Sequence, residues 1–254
     1  MTGSLAVSGP AMAASTGPHA GSQTAASHTF RPGGLFRQAP GTHSAIVNGR
    51  RIVFSTNWSG YAVTGGTFTT ATASWTQNTI TCTSGDGSTD MSPWVGIDGF
   101  SSNTVEQTGS SGDCSGATPD YYAWYEMFPR NVVIINKTVR PGDQFTGTVT
   151  HTTGTSYKLV LQDITQGWTN TVTKSINAKD SSAEAIMEEA ATHLTKFGTD
   201  PFTGFTVDGK AIGSYTSAPF AIQQMEIKEG STLCDSTSGL TNNENFTTTW
   251  LNAC

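Results

Sequence analysis

Charge is scarce in this chain, and acid is missing from its first third. No Asp or Glu occurs before Asp86, and only 13% of the 254 residues are charged, against about 25% in a typical soluble domain. The four basic residues in positions 1–54 (Arg31, Arg37, Arg50, Arg51) therefore stand unopposed. Residues 55–254 carry nine basic and nineteen acidic side chains, a net −10. So acidic a body argues against nucleic acid as a partner, because phosphate contacts need a basic surface. No apolar run approaches the roughly 18 residues that cross a membrane as a helix, so no membrane partner is expected.

Other chemistries lack their residues. The four cysteines (Cys82, Cys114, Cys234, Cys254) form no CxxC pair, and the five histidines (His19, His28, His43, His151, His193) show no zinc-ligand spacing. Neither a metal nor another cofactor is expected. Only His151 and His193 follow residue 54 and no G-x-S-x-G elbow surrounds a serine, which removes a serine-protease reading. No phosphate-cradling glycine loop precedes a helix. An even cysteine count without metal spacing suggests two disulfides and an oxidising compartment. Three connectivities are open. Cys82–Cys114, closing a strand pair, and Cys234–Cys254, stapling the last strand, are favoured. Four buried free thiols are the alternative.

Thr, Ser and Gly fill the gap that charge leaves. Threonine suits strands and glycine suits turns, so the composition favours an all-β protein. Residues 1–54 lack hydrophobic periodicity and read as poorly ordered. Their residues 5–14 resemble the end of a secretory signal, with an A-x-A site at Ala11 and Ala13. The rest reads as a prosegment, with Arg50-Arg51 as a processing point. A plain flexible tail is the bland reading. From Ser55 onward short strands follow one another at regular spacing, separated by turns such as Gly65-Gly66 and Pro141-Gly142-Asp143. That pattern indicates one β-sandwich domain over 55–254. One stretch resists: residues 183–191 have strong helix propensity and Gly198 would stop a helix. A short helix is expected near 190–198.

Five separated motifs then agree in order: Asn57-Trp58-Ser59-Gly60, Trp94-Val95-Gly96-Ile97-Asp98-Gly99, Gln107-Thr108-Gly109, Ala123-Trp124-Tyr125-Glu126, and Ala183-Glu184 through Glu188. Together they resemble the glutamic peptidase family, the eqolisins, across roughly residues 55–254. The resemblance implies a concanavalin A-like, lectin-like sandwich of two large antiparallel sheets and a secreted, extracellular acid endopeptidase insensitive to pepstatin. It implies a monomer whose partners are polypeptide substrates and its own prosegment. It also implies a catalytic pair. The family's glutamine maps to Gln107. Its glutamate, the second in a motif of form AEWIVE, maps to Glu188. Here the tryptophan of that motif is Ala185 and a second acid, Glu189, follows, so Glu184 and Glu189 are fallback candidates. Tyr122 replaces the Asp that fungal members carry before AWYE.

The pair makes chemical sense. A free Glu titrates near 4.3 and can switch state in mild acid. It can take a proton from water and return it to the leaving amine. A carboxamide can donate to the oxyanion at any pH. Each residue also has a bland reading: Gln107 as a surface hydrogen-bonder, Glu188 as a solvated acid, Trp58 and Trp94 as core rather than substrate wall. Asp98 and Glu126 either support the pair as hydrogen-bonding neighbours or bind backbone amides at turns. Two other functions compete. One is a glycoside hydrolase using Glu126 and Glu188. The other is a non-catalytic carbohydrate-binding module stacking sugars on Trp58, Trp94, Trp124 and Trp168. The charge asymmetry adds an expectation: a +4 prosegment held by a −10 body at neutral pH and released in acid.

Overall fold

The computed structural model describes residues 34–41, 43–47, 50–85, 87–190 and 193–254. The signal-like residues 5–14 and most of the expected prosegment lie outside them. The chain runs through β1 (Ser44–Val47), β2 (Arg50–Ser55), β3 (Trp58–Thr64), β4 (Thr70–Thr76), β5 (Ser88–Ile97), β6 (Val105–Ser115), β7 (Thr118–Phe128), β8 (Val133–Ile135) and β9 (Gln144–Thr153). It continues through β10 (Ser156–Asp163), β11 (Trp168–Ser175), β12 (Ser182–Glu188), β13 (Thr199–Val207), β14 (Lys210–Ala211), β15 (Ala221–Glu229), β16 (Thr232–Thr237) and β17 (Phe246–Trp250). Among the described residues the only helix is a single 3-10 turn, Ile212–Ser214.

The strands form an all-β, mostly antiparallel sandwich that nearly closes on itself. One layer carries β3, β12, β5, β6, β7 and β8 side by side. The other carries β4, β9, β10 and β11. β13 joins them, pairing with β4 in one layer and β17 in the other. One pairing departs from the antiparallel rule: β2 runs parallel to β15. So β1 and all of β2 but Ser55 fall within residues assigned from sequence to the prosegment, and β2 is hydrogen-bonded into the first layer. Between the layers lies the larger core, with Val95, Ile97, Phe145, Leu159, Phe202 and Met187. Its large side chains each contribute about 1.5–3 kcal/mol by leaving water.

Among the described residues near 190–198 there is no helix, against the expectation from sequence. Residues 182–188 form a central strand, and Leu194 and Lys196 make isolated bridges to Asp90 and Thr81. Propensity lost to position. All seven residues of β12 are buried between β3 and β5, and in a central strand both faces are packed and every backbone group finds a neighbour. Cys82 is bonded to Cys114 and Cys234 to Cys254.

Candidate active site

Alternation along strands decides which side chains meet. On β12, Ala183, Ala185 and Met187 enter the core between the layers. Glu184, Ile186 and Glu188 therefore point to the opposite, outer face. The register carries that face sideways: Trp58 and Gly60 on β3 oppose Glu188 and Ile186, Trp94 on β5 opposes Ile186, Gly109 on β6 opposes Trp94, and Gln107 opposes Glu126 on β7. A second apolar cluster lines it, with Trp58, Trp94, Val105, Trp124 and Ile186 fully buried. Glycine makes room. A Cβ on Gly60 would sit 2.4 Å from the Ala185 carbonyl oxygen, and one on Gly109 would sit 2.6 Å from the Trp94 Cβ. The strands approach beside Glu188, and Trp94 and Trp124 pack over Gly109, because neither position has a side chain.

Glu188 is fully enclosed, and neutral donors surround it. Its Oε1 accepts from Asn57 Nδ2 at 3.3 Å and Trp58 Nε1 at 3.2 Å, and its Oε2 accepts from Trp94 Nε1 at 2.8 Å. The two indoles stand edge to face, centroids 5.0 Å apart, which fixes the direction of both N–H groups. Burial pushes the carboxyl up to about 8, with the Glu126 charge adding to the rise and the Trp58 and Trp94 hydrogen bonds opposing it. Donors to the charged form favour that form.

Gln107 is also fully buried. Its Nε2 donates to Glu126 Oε2 at 2.8 Å, and its Oε1 has no hydrogen-bond partner among the described residues. The Glu126 hydrogen bond orients the carboxamide and uses one of its two N–H groups.

The remaining sequence candidates separate. Glu126 touches Gln107. Asp98, at φ 72, instead accepts from the backbone N–H groups of Lys179, Asp180 and Ser181 at 2.6–3.0 Å, tying a turn. Glu184 lies on the same face as Glu188, yet neither of its oxygens has a hydrogen-bond partner among the described residues. Burial first, then the Asp98 and Glu106 charges, hold it well above the usual carboxylate range. Glu189 donates its backbone N–H to Asn57 O, and burial and then Asp90 raise its carboxyl to about 8. Trp58, Trp94 and Trp124 are fully buried and offer no open face for sugar stacking, while Trp168 is half-buried with its ring edge-to-face on Phe145. Asn57 was missed as a site residue. It was visible only as part of a motif, although Asn57-Trp58-Ser59 also spells an N-glycosylation sequon. At 1% exposure, with its side chain bonded to Glu188, it is unavailable to a glycan.

Fold and site together define an all-β protein whose outer sheet face carries a buried carboxyl that accepts from three neutral N–H donors and, on a strand of the same layer, a carboxamide held by a second carboxyl. Residues 56–250 match the Peptidase A4 family, and the chain belongs to that family. It is 33% identical to scytalidopepsin B of Scytalidium lignicola over 151 residues, 56% of this chain and 55% of that protein, so this alignment spans about half the relative's length. It is 27% identical to aspergillopepsin-2 of Aspergillus niger over 211 residues, 73% of this chain and 74% of that one. Its fold is similar to that of scytalido-glutamic peptidase, solved with a transition state analog inhibitor: TM-score 0.65, 23% identity, 77% of this chain and 98% of the other.

Proposed function

We propose that the chain is an acid endopeptidase that hydrolyses peptide bonds with Gln107 and Glu188. The observation that carries this reading is the setting of Glu188: one enclosed carboxyl ringed by uncharged N–H donors, on the face that also carries an oriented carboxamide. Glu188 takes a proton from water as that water attacks the carbonyl carbon, then delivers it to the leaving amine. The free N–H of Gln107 donates to the oxyanion. Glu126 is a positioning residue, keeping the carboxamide turned.

Glu188 is neutral up to about pH 8 while it stays buried. Water entering with a substrate relieves the desolvation penalty. The Trp58 and Trp94 donors then pull the carboxyl back toward the acid range, where it can exchange a proton. The names of the relatives, scytalidopepsin, aspergillopepsin and glutamic peptidase, agree with this reading.

Secretion, a monomeric mature enzyme, a concanavalin A-like fold and an N-terminal prosegment belong to the same proposal. Charge favours the last: burial raises the carboxyls of Glu189 and Glu226, and the Arg37 and Arg50 charges oppose that rise. The test is digestion of a denatured protein at pH 3–4 with pepstatin present. Wild type is expected to cut. A wild-type protein that leaves protein intact but degrades polysaccharide would replace this reading with a glycoside hydrolase.

A further inference from the structure

The face that holds Glu188 is not empty: residues 34–37 of the same chain lie on it. Asn57 grips them with both ends of its carboxamide. Nδ2 donates to Leu35 O at 3.1 Å, and Oδ1 accepts from Arg37 N at 2.9 Å. The same Nδ2 also reaches Glu188 Oε1. Phe36 N donates to Gly99 O at 3.1 Å. Arg37 O accepts from Thr56 N at 2.9 Å and Ser55 Oγ at 2.8 Å. Main-chain bonds at three successive residues, with a side chain entering a pocket, are how an extended peptide is held in a groove.

The pocket is aromatic. The Phe36 ring stacks on Phe100 at 4.6 Å between centroids and meets Trp58 edge-on at 5.9 Å. Gly99 forms its floor at φ 102. A Cβ there would come within 2.4 Å of Val105 Cγ2 and 2.9 Å of the Trp58 ring. Next along the segment, a Cβ on Gly34 would sit 3.5 Å from Glu188 Oε1. The chain therefore passes directly over the carboxyl, beside a cavity of about 370 Å³ lined by Leu35, Arg37, Asn57, Phe128 and Glu188. The matched family region begins only at residue 56, so this occupant comes from the stretch that precedes it.

We propose that the Phe36 pocket, formed by Trp58, Gly99 and Phe100, is a substrate subsite for a bulky aromatic side chain, and that residues 34–37 fill it as a tethered peptide mimic. The proposal rests on the peptidase reading for its substrate class, but not for the binding itself. Two consequences follow. While the segment is docked, Glu188 is covered and a peptide must compete with it. Once the segment leaves, peptides bearing Phe, Tyr or Trp at one fixed position from the cut bond are preferred.

Binding and cleavage separate the two readings. The full-length chain and its Phe36→Ala variant are titrated by calorimetry at pH 6 with an acetylated, amidated peptide of sequence Gly-Leu-Phe-Arg-Gln, and with the same peptide carrying Ala for Phe. Apparent affinity falls with the fraction of sites left open, so Phe36→Ala is expected to bind the Phe peptide about tenfold more tightly than wild type does. Phe36→Leu, which keeps most of the packing, should fall between them. The Ala peptide should bind neither protein measurably. Equal binding of the two peptides overturns the subsite, whatever the activity. Cleavage sites in denatured protein at pH 4 are then mapped for Phe36→Ala with and without Phe100→Ala. An aromatic preference that weakens with Phe100→Ala is expected, and cleavage with no side-chain preference overturns the specificity role. Selective binding of the Phe peptide with no cleavage by any protein would sink the peptidase reading while leaving the pocket's aromatic selectivity standing.

Discussion

Glu184 and Glu188 sit one helical turn apart in sequence, but on one strand they share a face, and both are fully enclosed. Their surroundings differ completely. Glu188 receives N–H groups from Asn57, Trp58 and Trp94, and the Glu126 charge beside Gln107 adds to the rise that burial gives its carboxyl. Glu184 receives no hydrogen bond among the described residues, only the Ser182 hydroxyl lies near enough to soften its burial, and the charges that act on it are Asp98 and Glu106. Burial alone raises a carboxyl's pKa in either place. Under the proposed function, what distinguishes the reacting acid from the stored one is the set of donors ready to receive its charge.

The largest effect that could break this comparison concerns the carboxamide. Gln107→Ala should lower kcat roughly a hundred- to a thousandfold. Glu106→Gln, one residue earlier on the opposite face of β6, should leave kcat nearly intact. Initial rates on a denatured protein substrate at pH 4 check both. Equal losses would mean that the alternation of faces does not govern function here.

Next comes stability. The folded pKa of Glu184 is raised above its ordinary value of 4.5. Its stabilising contribution is therefore fully present below about pH 4.5 and is lost as pH rises through the folded value. The same sign holds for Glu106 at about 9, Asp113 at about 8 and Asp235 at about 7, all raised chiefly by burial. The melting temperature should fall steadily from pH 4.5 to pH 9. Glu184→Gln should recover about 1–3 kcal/mol of that loss. Parallel wild-type and variant curves would contradict it.

A smaller effect isolates one donor. Trp94→Phe keeps the ring and removes the N–H that Glu188 Oε2 accepts. Turnover should fall about tenfold, the cost of one hydrogen bond to a charged group, and the acid limb of the pH–rate profile should move upward. An unshifted limb would mean that the indole only packs.

Much of the sheet was legible because its strands alternate plainly. β10, in Tyr157, Leu159 and Leu161, buries every second residue. β12 was misread over its C-terminal flank because Ala, Glu and Met are strong helix formers, and no local signal announces that a strand will lie at the centre of a layer. Gln107 and Glu188 were singled out through the spacing of motifs, not through any property of the residues themselves. The fate of Asp98 and Glu126 could not be read at all, since each lies in a motif and only the fold reveals that one ties a turn while the other holds Gln107. Asn57 and the docking of residues 34–37 were invisible for the same reason: a side chain and a segment twenty positions apart meet only after β2 and β3 have paired into the layer.

The most direct test sets the two strand-mates side by side: steady-state hydrolysis of one denatured protein substrate at pH 4, with pepstatin, by wild type, Glu188→Gln and Glu184→Gln. Loss of general acid–base catalysis should cost Glu188→Gln roughly a hundred- to ten-thousandfold in kcat, while Glu184→Gln stays within about threefold of wild type, as expected for an acid away from the reacting atoms. Comparable losses in the two variants, or the greater loss in Glu184→Gln, would contradict the assignment.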